Sequence, residues 1–140
     1  MKRKLLFVIT QFYKGGAETS LLRLFELLDN EKYDVDFLIL NQIEYQDATS
    51  LVGEVPEWIH IVDAVKLDSH YSAIEQVWGK IYRRLFHSET YRRTALDYVK
   101  NKEYDCAISF GEWLSPAFVT KKVKARKKYG FILIWIKQIL

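Results

Sequence analysis

Two adjacent glycines join an apolar run to an amphipathic run near the start of this 140-residue chain. Gly15 and Gly16 follow the apolar residues 5–9 and precede a leucine-rich stretch at residues 21–28. A buried strand that leads through a glycine turn into a helix is a frequent way to build an anion site. The glycines admit close approach of a ligand, and the first N–H groups of the helix face its negative charge. The sequence therefore predicts an anion-binding turn at Gly15 and Gly16.

The spacing of these glycines differs from that of two well-known phosphate-binding motifs. It lacks the Gly-x-Gly-x-x-Gly pattern of dinucleotide-binding proteins and the Gly-x-x-x-x-Gly-Lys-Ser/Thr pattern of phosphate loops. By itself, a glycine turn after the first strand is equally compatible with a purely structural turn. The motif therefore indicates where a ligand would bind without identifying the ligand.

The elements that must position this turn alternate between strand and helix along the chain. Segment 41–57 is polar and poorly periodic, which predicts a loop or a short helix. This alternation predicts one α/β domain over residues 1–140, Rossmann-like and doubly wound, with a mainly parallel sheet and helices on both faces. The predicted strands are residues 5–9, 33–40, 58–62, 104–110 and 131–136. The predicted helices are the stretch after the two glycines as far as residue 28, pieces within 71–100, and a stretch from Leu114 towards Arg126.

The cysteine content and the charge distribution limit the class of protein. Cys106 is the only cysteine, which excludes an internal disulfide and a cysteine-based zinc site, and fits a reducing, cytoplasmic setting. Residues 1–70 contain 7 Lys or Arg and 12 Asp or Glu, whereas residues 71–140 contain 14 and 6. The second half therefore carries a basic surface. Because no nucleic-acid-binding motif accompanies it, we expect no nucleic-acid partner.

A basic stripe lies on one of the predicted helices in the second half. Lys80, Arg83 and Arg84 share one face at helical spacing, and aromatic residues flank them. Such a helix could rest on an anionic membrane surface, and an ordinary solvated basic face is the alternative. No run approaches the roughly 18 apolar residues that span a bilayer. The sequence thus predicts a cytoplasmic protein, with peripheral attachment to the inner face of the cell membrane as an open possibility.

Three segments together resemble the N-terminal half of a family 4 glycosyltransferase with the GT-B fold. They are residues 4–9 followed by Gly15-Gly16-Ala17-Glu18, the strand opening at residues 31–35, and the strand at residues 104–110. The similarity extends to about residue 128. In that family, two Rossmann-like domains face each other across a cleft, with the acceptor bound by the first and the nucleotide-sugar bound by the second.

The resemblance implies roles for particular residues. Gly15 and Gly16 would line the cleft, with their N–H groups facing the donor phosphates or the transferred sugar. Gln11, Lys14 and Glu112 would lie on the acceptor side. The transfer would retain the anomeric configuration, would usually need no metal, and would use the nucleotide-sugar as co-substrate without a resident cofactor. The expected partners are a glycan or lipid-linked acceptor from surface-polysaccharide synthesis. The catalytic residues are not identified.

The resemblance also departs from the family pattern. The donor-binding domain, with its pair of glutamates seven residues apart, is expected to be absent from these 140 residues, through truncation, a frameshift near Lys128 or division between two subunits. Glu18 and Glu26 have a similar spacing but lie on the first helix, so we treat that match as chance. Two alternatives stay open: a non-catalytic binding or membrane-docking subunit with a separate donor-binding partner, and an unrelated α/β ligand-binding protein.

Overall fold

The computed structural model of this protein describes residues 1–42, 48–68, 93–111 and 114–131. Within these residues, five parallel strands form one sheet in the order β3-β2-β1-β4-β5. The strands are β1 (Arg3–Ile9), β2 (Tyr33–Ile39), β3 (His60–Asp63), β4 (Glu103–Phe110) and β5 (Lys124–Phe131). The helices in the described ranges are α1 (Gly16–Leu27), α2 (Ala64–Asp68), α3 (Arg93–Val99) and α4 (Leu114–Lys122), and a short 3₁₀ helix spans Val52–Glu54.

Strand β1 lies at the centre of the sheet because its sequence is apolar on both faces. Residues 5–9 are all buried, and β1 pairs in register with β2 on one side and with β4 on the other. Leu5 and Phe7 contact one core cluster, whereas Leu6 and Val8 contact the other. A strand without a polar face is stable only when both of its faces are covered.

Helix α1 covers the first of these faces, which we call the α1 face. Leu21 and Phe25 are fully buried, at the helical spacing predicted from the sequence. The ring of Phe25 makes edge-on contacts with Phe7 of β1 at 5.2 Å and with Phe37 of β2 at 4.9 Å between ring centroids. Burying side chains of this size stabilises the fold by roughly 1.5–3 kcal/mol each.

Helices α3 and α4 contribute to the cluster on the opposite side, which we call the α3–α4 face. Ala95 and Val99 of α3 and Phe118 and Val119 of α4 pack there with residues of β1, β2 and β4. Helices thus pack on both faces of an all-parallel sheet. The prediction of an α/β, Rossmann-like fold is confirmed.

The end of the described chain differs from the prediction. Helix α4 ends at Lys122 instead of continuing towards Arg126, and residues 124–131 form β5. They pair with β4 from Glu103↔Lys124 to Phe110↔Phe131. Pairing along a whole neighbouring strand outweighs the moderate preference of lysine and arginine for helix. The predicted strand at 131–136 is therefore wrong at its start, and residues 132–136 lie outside the described residues.

Three further predictions concern β3, segment 41–57 and the helical pattern in 71–100, and the last two are described only in part. Strand β3 begins at His60, two residues later than predicted, and Ile59 packs in the core beside it. In segment 41–57, the described part contains the 3₁₀ helix at Val52–Glu54. Of the helical pattern in 71–100, the described part is α3, and residues 71–92 lie outside the described residues.

Candidate functional site at the carboxyl edge of the sheet

The strand order reverses between β1 and β4. Ile9 and Phe110 are register partners near the carboxyl ends of these neighbouring strands. The chain leaves β1 for α1 on one face, and it leaves β4 for α4 on the opposite face. In open α/β sheets, ligands bind in the crevice outside such a reversal. The turn predicted from the sequence, Gly15 and Gly16, follows β1 at this edge.

The turn leaves the first N–H groups of α1 without a side-chain cap. Gly15 is the N-cap residue, has extended backbone angles (φ −162°, ψ 177°), and makes no side-chain capping bond. Among the described residues, no atom lies within 4 Å of the position where Gly16 would carry a Cβ atom, apart from its chain neighbours and the helix backbone. An uncapped helix start with open space beside it is suited to an anion.

The carboxylate of Glu18 lies against this turn. A Cβ atom on Gly15 would lie 2.5 Å from Oε2 of Glu18, which is the end of a flexible side chain and could move aside. Glu18 is in the first turn of α1, where a carboxylate interacts favourably with the helix dipole. This side chain therefore places negative charge beside the start of α1.

Gln42 holds the segment that leads into the turn. Its Oε1 accepts a hydrogen bond from the Phe12 N–H at 2.7 Å, and its Nε2 donates to the Phe12 carbonyl at 3.4 Å. The side chain therefore satisfies both backbone groups of one residue, as a neighbouring strand would. Lys14 donates its N–H to the Thr49 carbonyl at 2.8 Å, and Tyr13 forms an isolated antiparallel bridge with Ser50. Gln42 is not predictable from the sequence, because no local pattern marks it.

Phe12 also anchors the segment from the apolar side. Its side chain is fully buried on the α1 face, and its ring meets Phe37 edge-on at 4.9 Å. The segment before α1 is thus held by the buried ring of Phe12 on the α1 face and by the hydrogen bonds from the Gln42 amide to the Phe12 backbone.

The end of β4 forms the other side of the crevice. Gly111 has φ +90°, a conformation that residues with a side chain rarely adopt. Ser115, buried in the first turn of α4, donates its hydroxyl to the Phe110 carbonyl at 2.7 Å. These two features turn the chain sharply from β4 into α4.

The other candidate residues are placed as follows. Gln11 and Lys14 lie in the segment beside the glycines, as their positions in the sequence required. Glu112, and likewise Lys80, Arg83 and Arg84, lie outside the described residues. Glu18 and Glu26 are both on α1, and Glu26 pairs with Arg23 at 3.3 Å on its exposed surface.

A second polar cluster lies at the opposite, amino edge of the sheet, beside a cavity of about 510 Å³. Asp36 of β2 is its centre: Tyr104 donates to its Oδ2 at 2.7 Å, and Nδ1 of His60 lies 3.2 Å from its Oδ1. Nζ of Lys102 lies 3.6 Å from Oδ2 and 3.6 Å from the centre of the Tyr98 ring. We call these five residues the Asp36 cluster.

Electrostatics within the Asp36 cluster favour one protonation state. Burial alone would raise the pKa of Asp36, but hydrogen bonds from Tyr104, His60 and Tyr98 and the charge of Lys102 bring it below its ordinary value. Burial and the nearby carboxylate raise the pKa of both tyrosines, which therefore stay protonated and can donate. Since its polar groups satisfy one another, the cluster is organised for stability, and the carboxyl edge is the better candidate for ligand binding.

The described residues show three further features that bear on chemistry and location. Burial raises the pKa of the half-buried Cys106 thiol, and nearby Lys127 opposes the shift only in part. Among the described residues, no three His, Cys, Asp or Glu side chains are grouped so that they could hold a metal ion. Within the same residues, no helix has the length and apolar character needed to cross a membrane.

Comparison of the chain with protein-family models and with curated proteins returns no match.

Proposed function

We propose that this chain is the acceptor-binding half of a retaining glycosyltransferase that acts in surface-polysaccharide synthesis. The complete enzyme would transfer a sugar from a nucleotide-sugar to a glycan or lipid-linked acceptor. One observation carries the proposal: α1 opens without a side-chain cap on Gly15 and Gly16, beside the reversal of strand order between β1 and β4. The resemblance of the glycine turn and two strand segments to family 4 glycosyltransferases supports the choice of ligand.

In this proposal the N–H groups at the start of α1 contact the donor phosphates or the transferred sugar. The open space at Gly16 admits the ligand, and the crevice between β1 and β4 receives it. This domain forms only one wall of the cleft. Because positioning and charge stabilisation of the donor need both walls, we expect the purified chain to show no sugar transfer by itself.

Ligand binding at the turn can be tested by titrating the purified chain with uridine diphosphate, and separately with inorganic pyrophosphate, while following backbone amide resonances. We expect the largest shifts at Gly16, Ala17 and Glu18. Gly16→Asp places a carboxylate in the ligand's position and preserves the helix start, so it should weaken binding by about tenfold or more. Leu27→Asp is the matched control, since residue 27 is 82% exposed at the other end of α1. Equal binding by the two variants would exclude the turn as the phosphate site.

Glu18→Gln provides a test with the opposite sign. The substitution removes the negative charge that lies against Gly15, so it should tighten pyrophosphate binding by roughly three- to tenfold. The Glu26→Gln variant removes the same charge further along α1 and should change affinity little. If Glu18→Gln weakened binding, the carboxylate would contact the ligand instead of competing with it.

The half-site claim has its own test. The chain is incubated with nucleotide-sugars and a lipid-linked glycan, and release of nucleoside diphosphate is measured. Turnover by the chain alone at a rate typical of enzymes would contradict the proposal that it is one half of a cleft.

A further inference from the structure

Strand β5 forms the last strand of the sheet within the described part of the chain. It pairs with β4 along its whole length, and no other described strand pairs with it. Residues 126–130 are all exposed, including Tyr129, which is 53% exposed. An exposed strand edge presents a row of backbone N–H and C=O groups that can pair with another strand.

The charge along this edge has a single sign. Residues 121–128 contain six lysines or arginines and no acidic residue. Within the described structure, an acidic residue offsets this positive charge only weakly. The highly exposed Arg126 lies 3.9 Å from Asp105 of β4. Nζ of Lys128 donates to a backbone carbonyl, that of Thr120, at 3.1 Å. The edge therefore keeps a strong positive charge.

The cations extend to both faces of the sheet. Lys127 is the register partner of Cys106, which packs on the α1 face, and Lys128 is the partner of Ala107, which packs on the α3–α4 face. A flat anionic membrane could contact only one of these faces. A second copy of β5 would bring like charges together, which is unfavourable. The side chains of a strand added in the plane of the sheet would alternate between the two faces. Acidic residues on such a strand could therefore pair with the lysines on both faces.

We propose that the outer edge of β5 binds an extended acidic segment of a partner protein, which adds to the sheet as a sixth strand. Within the described residues β5 is an edge strand, so a further strand can be added beside it without breaking an existing strand pair. Backbone hydrogen bonds to β5 would supply affinity, and the basic side chains would select an acidic sequence. This surface is independent of the proposed ligand at Gly15 and Gly16.

The experiment uses a fluorescein-labelled peptide of about eight residues, in which glutamate alternates with valine and threonine. Binding to the 140-residue chain is followed by fluorescence anisotropy, and protection of β5 amides is followed by hydrogen exchange. A second peptide has the same sequence with alternate backbone nitrogens methylated, so it keeps the charge and loses the donors. We expect the first peptide to bind and to protect β5, and the methylated peptide to bind about 100-fold more weakly.

A pair of charge-reversed variants locates the surface. Changing Lys127 and Lys128 to Glu should reduce affinity by more than about tenfold, whereas changing Lys121 and Lys122 to Glu, at the end of α4, should reduce it only a few-fold. Circular dichroism checks that both variants fold, and if the first does not, Lys127→Gln and Lys128→Gln replace it.

Three results would overturn the proposal. One is equal binding of the methylated peptide, which would reduce the interaction to charge alone. Another is full protection of the β5 amides in the protein without peptide, which would mean that the edge is already occupied. The third is no binding at about millimolar peptide, a concentration at which even weak strand addition is detectable.

Discussion

The surroundings of Asp36 differ from what its position in the sequence indicates. It lies in the alternating segment Tyr33–Ile39, where it reads as an ordinary polar residue of a strand. In the fold, its side chain is only 16% exposed and joins β2 to β3, β4 and α3. A carboxylate with several donors stabilises the state in which it is charged.

The sign of the resulting pH dependence follows from the lowered pKa of Asp36. Folding makes this carboxyl harder to protonate, so its contribution to stability is complete above its ordinary pKa of 3.8 and is lost as the pH falls through the lower folded value. We expect Asp36→Asn to reduce the free energy of unfolding by about 1–3 kcal/mol at neutral pH. The difference from the wild type should shrink in acid.

Urea unfolding at a series of pH values measures this prediction. Asp34→Asn is the matched control, because Asp34 is exposed two residues away on the same strand and should change stability little. A constant difference between Asp36→Asn and the wild type down to the lowest pH would contradict the assigned role of the charge.

Two glycines at the carboxyl edge should respond in opposite directions to alanine. Gly111→Ala forces a side chain into a backbone with φ +90°, and we expect a loss of about 1–2 kcal/mol in the free energy of unfolding. Gly16→Ala lies in a helix with open space around it, and should be neutral or stabilising by up to about 1 kcal/mol. Thermal or urea unfolding of both variants checks the pair, and equal destabilisation would argue against this description of the edge.

At the scale of elements, the segment between β1 and α1 is the part that positions the candidate site. Three supports hold it: the amide of Gln42, the buried ring of Phe12, and the backbone bonds to residues 49–51. The site therefore depends on residues that follow β2 as much as on the glycine turn itself.

We expect Gln42→Ala to loosen this segment without unfolding the domain. The Phe12 N–H should lose protection from hydrogen exchange, and stability should fall by about 1–2 kcal/mol. Gln42→Glu keeps the acceptor for the Phe12 N–H, so it should retain more of that protection than Gln42→Ala. If Phe12 exchanged equally slowly in all three proteins, the amide would not be the support that the geometry indicates.

At the scale of the whole molecule, charge is distributed unevenly: residues 1–70 are acidic overall and residues 71–140 are basic overall. The basic second half includes β5, which the structure describes, and the stripe Lys80, Arg83 and Arg84, which lies outside the described residues. The membrane prediction from that stripe stays a prediction.

Flotation of the chain with vesicles that contain anionic lipid tests the prediction of membrane contact. Changing Lys80, Arg83 and Arg84 to Glu should abolish flotation if the stripe is the contact surface, because each basic residue contributes about 1 kcal/mol near such a surface. Changing Lys121, Lys122 and Lys124 to Glu produces the same charge change elsewhere and should reduce flotation less. Unchanged flotation of the first variant would remove the membrane claim.

The parts of the fold that follow from local pattern were predictable. The apolar run of β1, the helical spacing of Leu21 and Phe25, and the glycine turn between them are each visible within a few residues. The start of β5 was predicted to belong to a helix that runs towards Arg126, because its lysines and arginine carry no strand signal and only pairing with β4 makes it a strand.

The sequence alone thus determined the α/β class, the central strand and the position of the glycine turn, because hydrophobic periodicity and turn chemistry act over short stretches. Only the tertiary structure decided the order of the strands, the exposed basic edge of β5, and the polar contacts around both edges. Those contacts join residues far apart in the chain: Phe12 meets Gln42, 30 residues away, and Asp36 meets Tyr104, 68 residues away. Such pairs form because the sheet brings strand ends together, and no local pattern encodes which ends will meet.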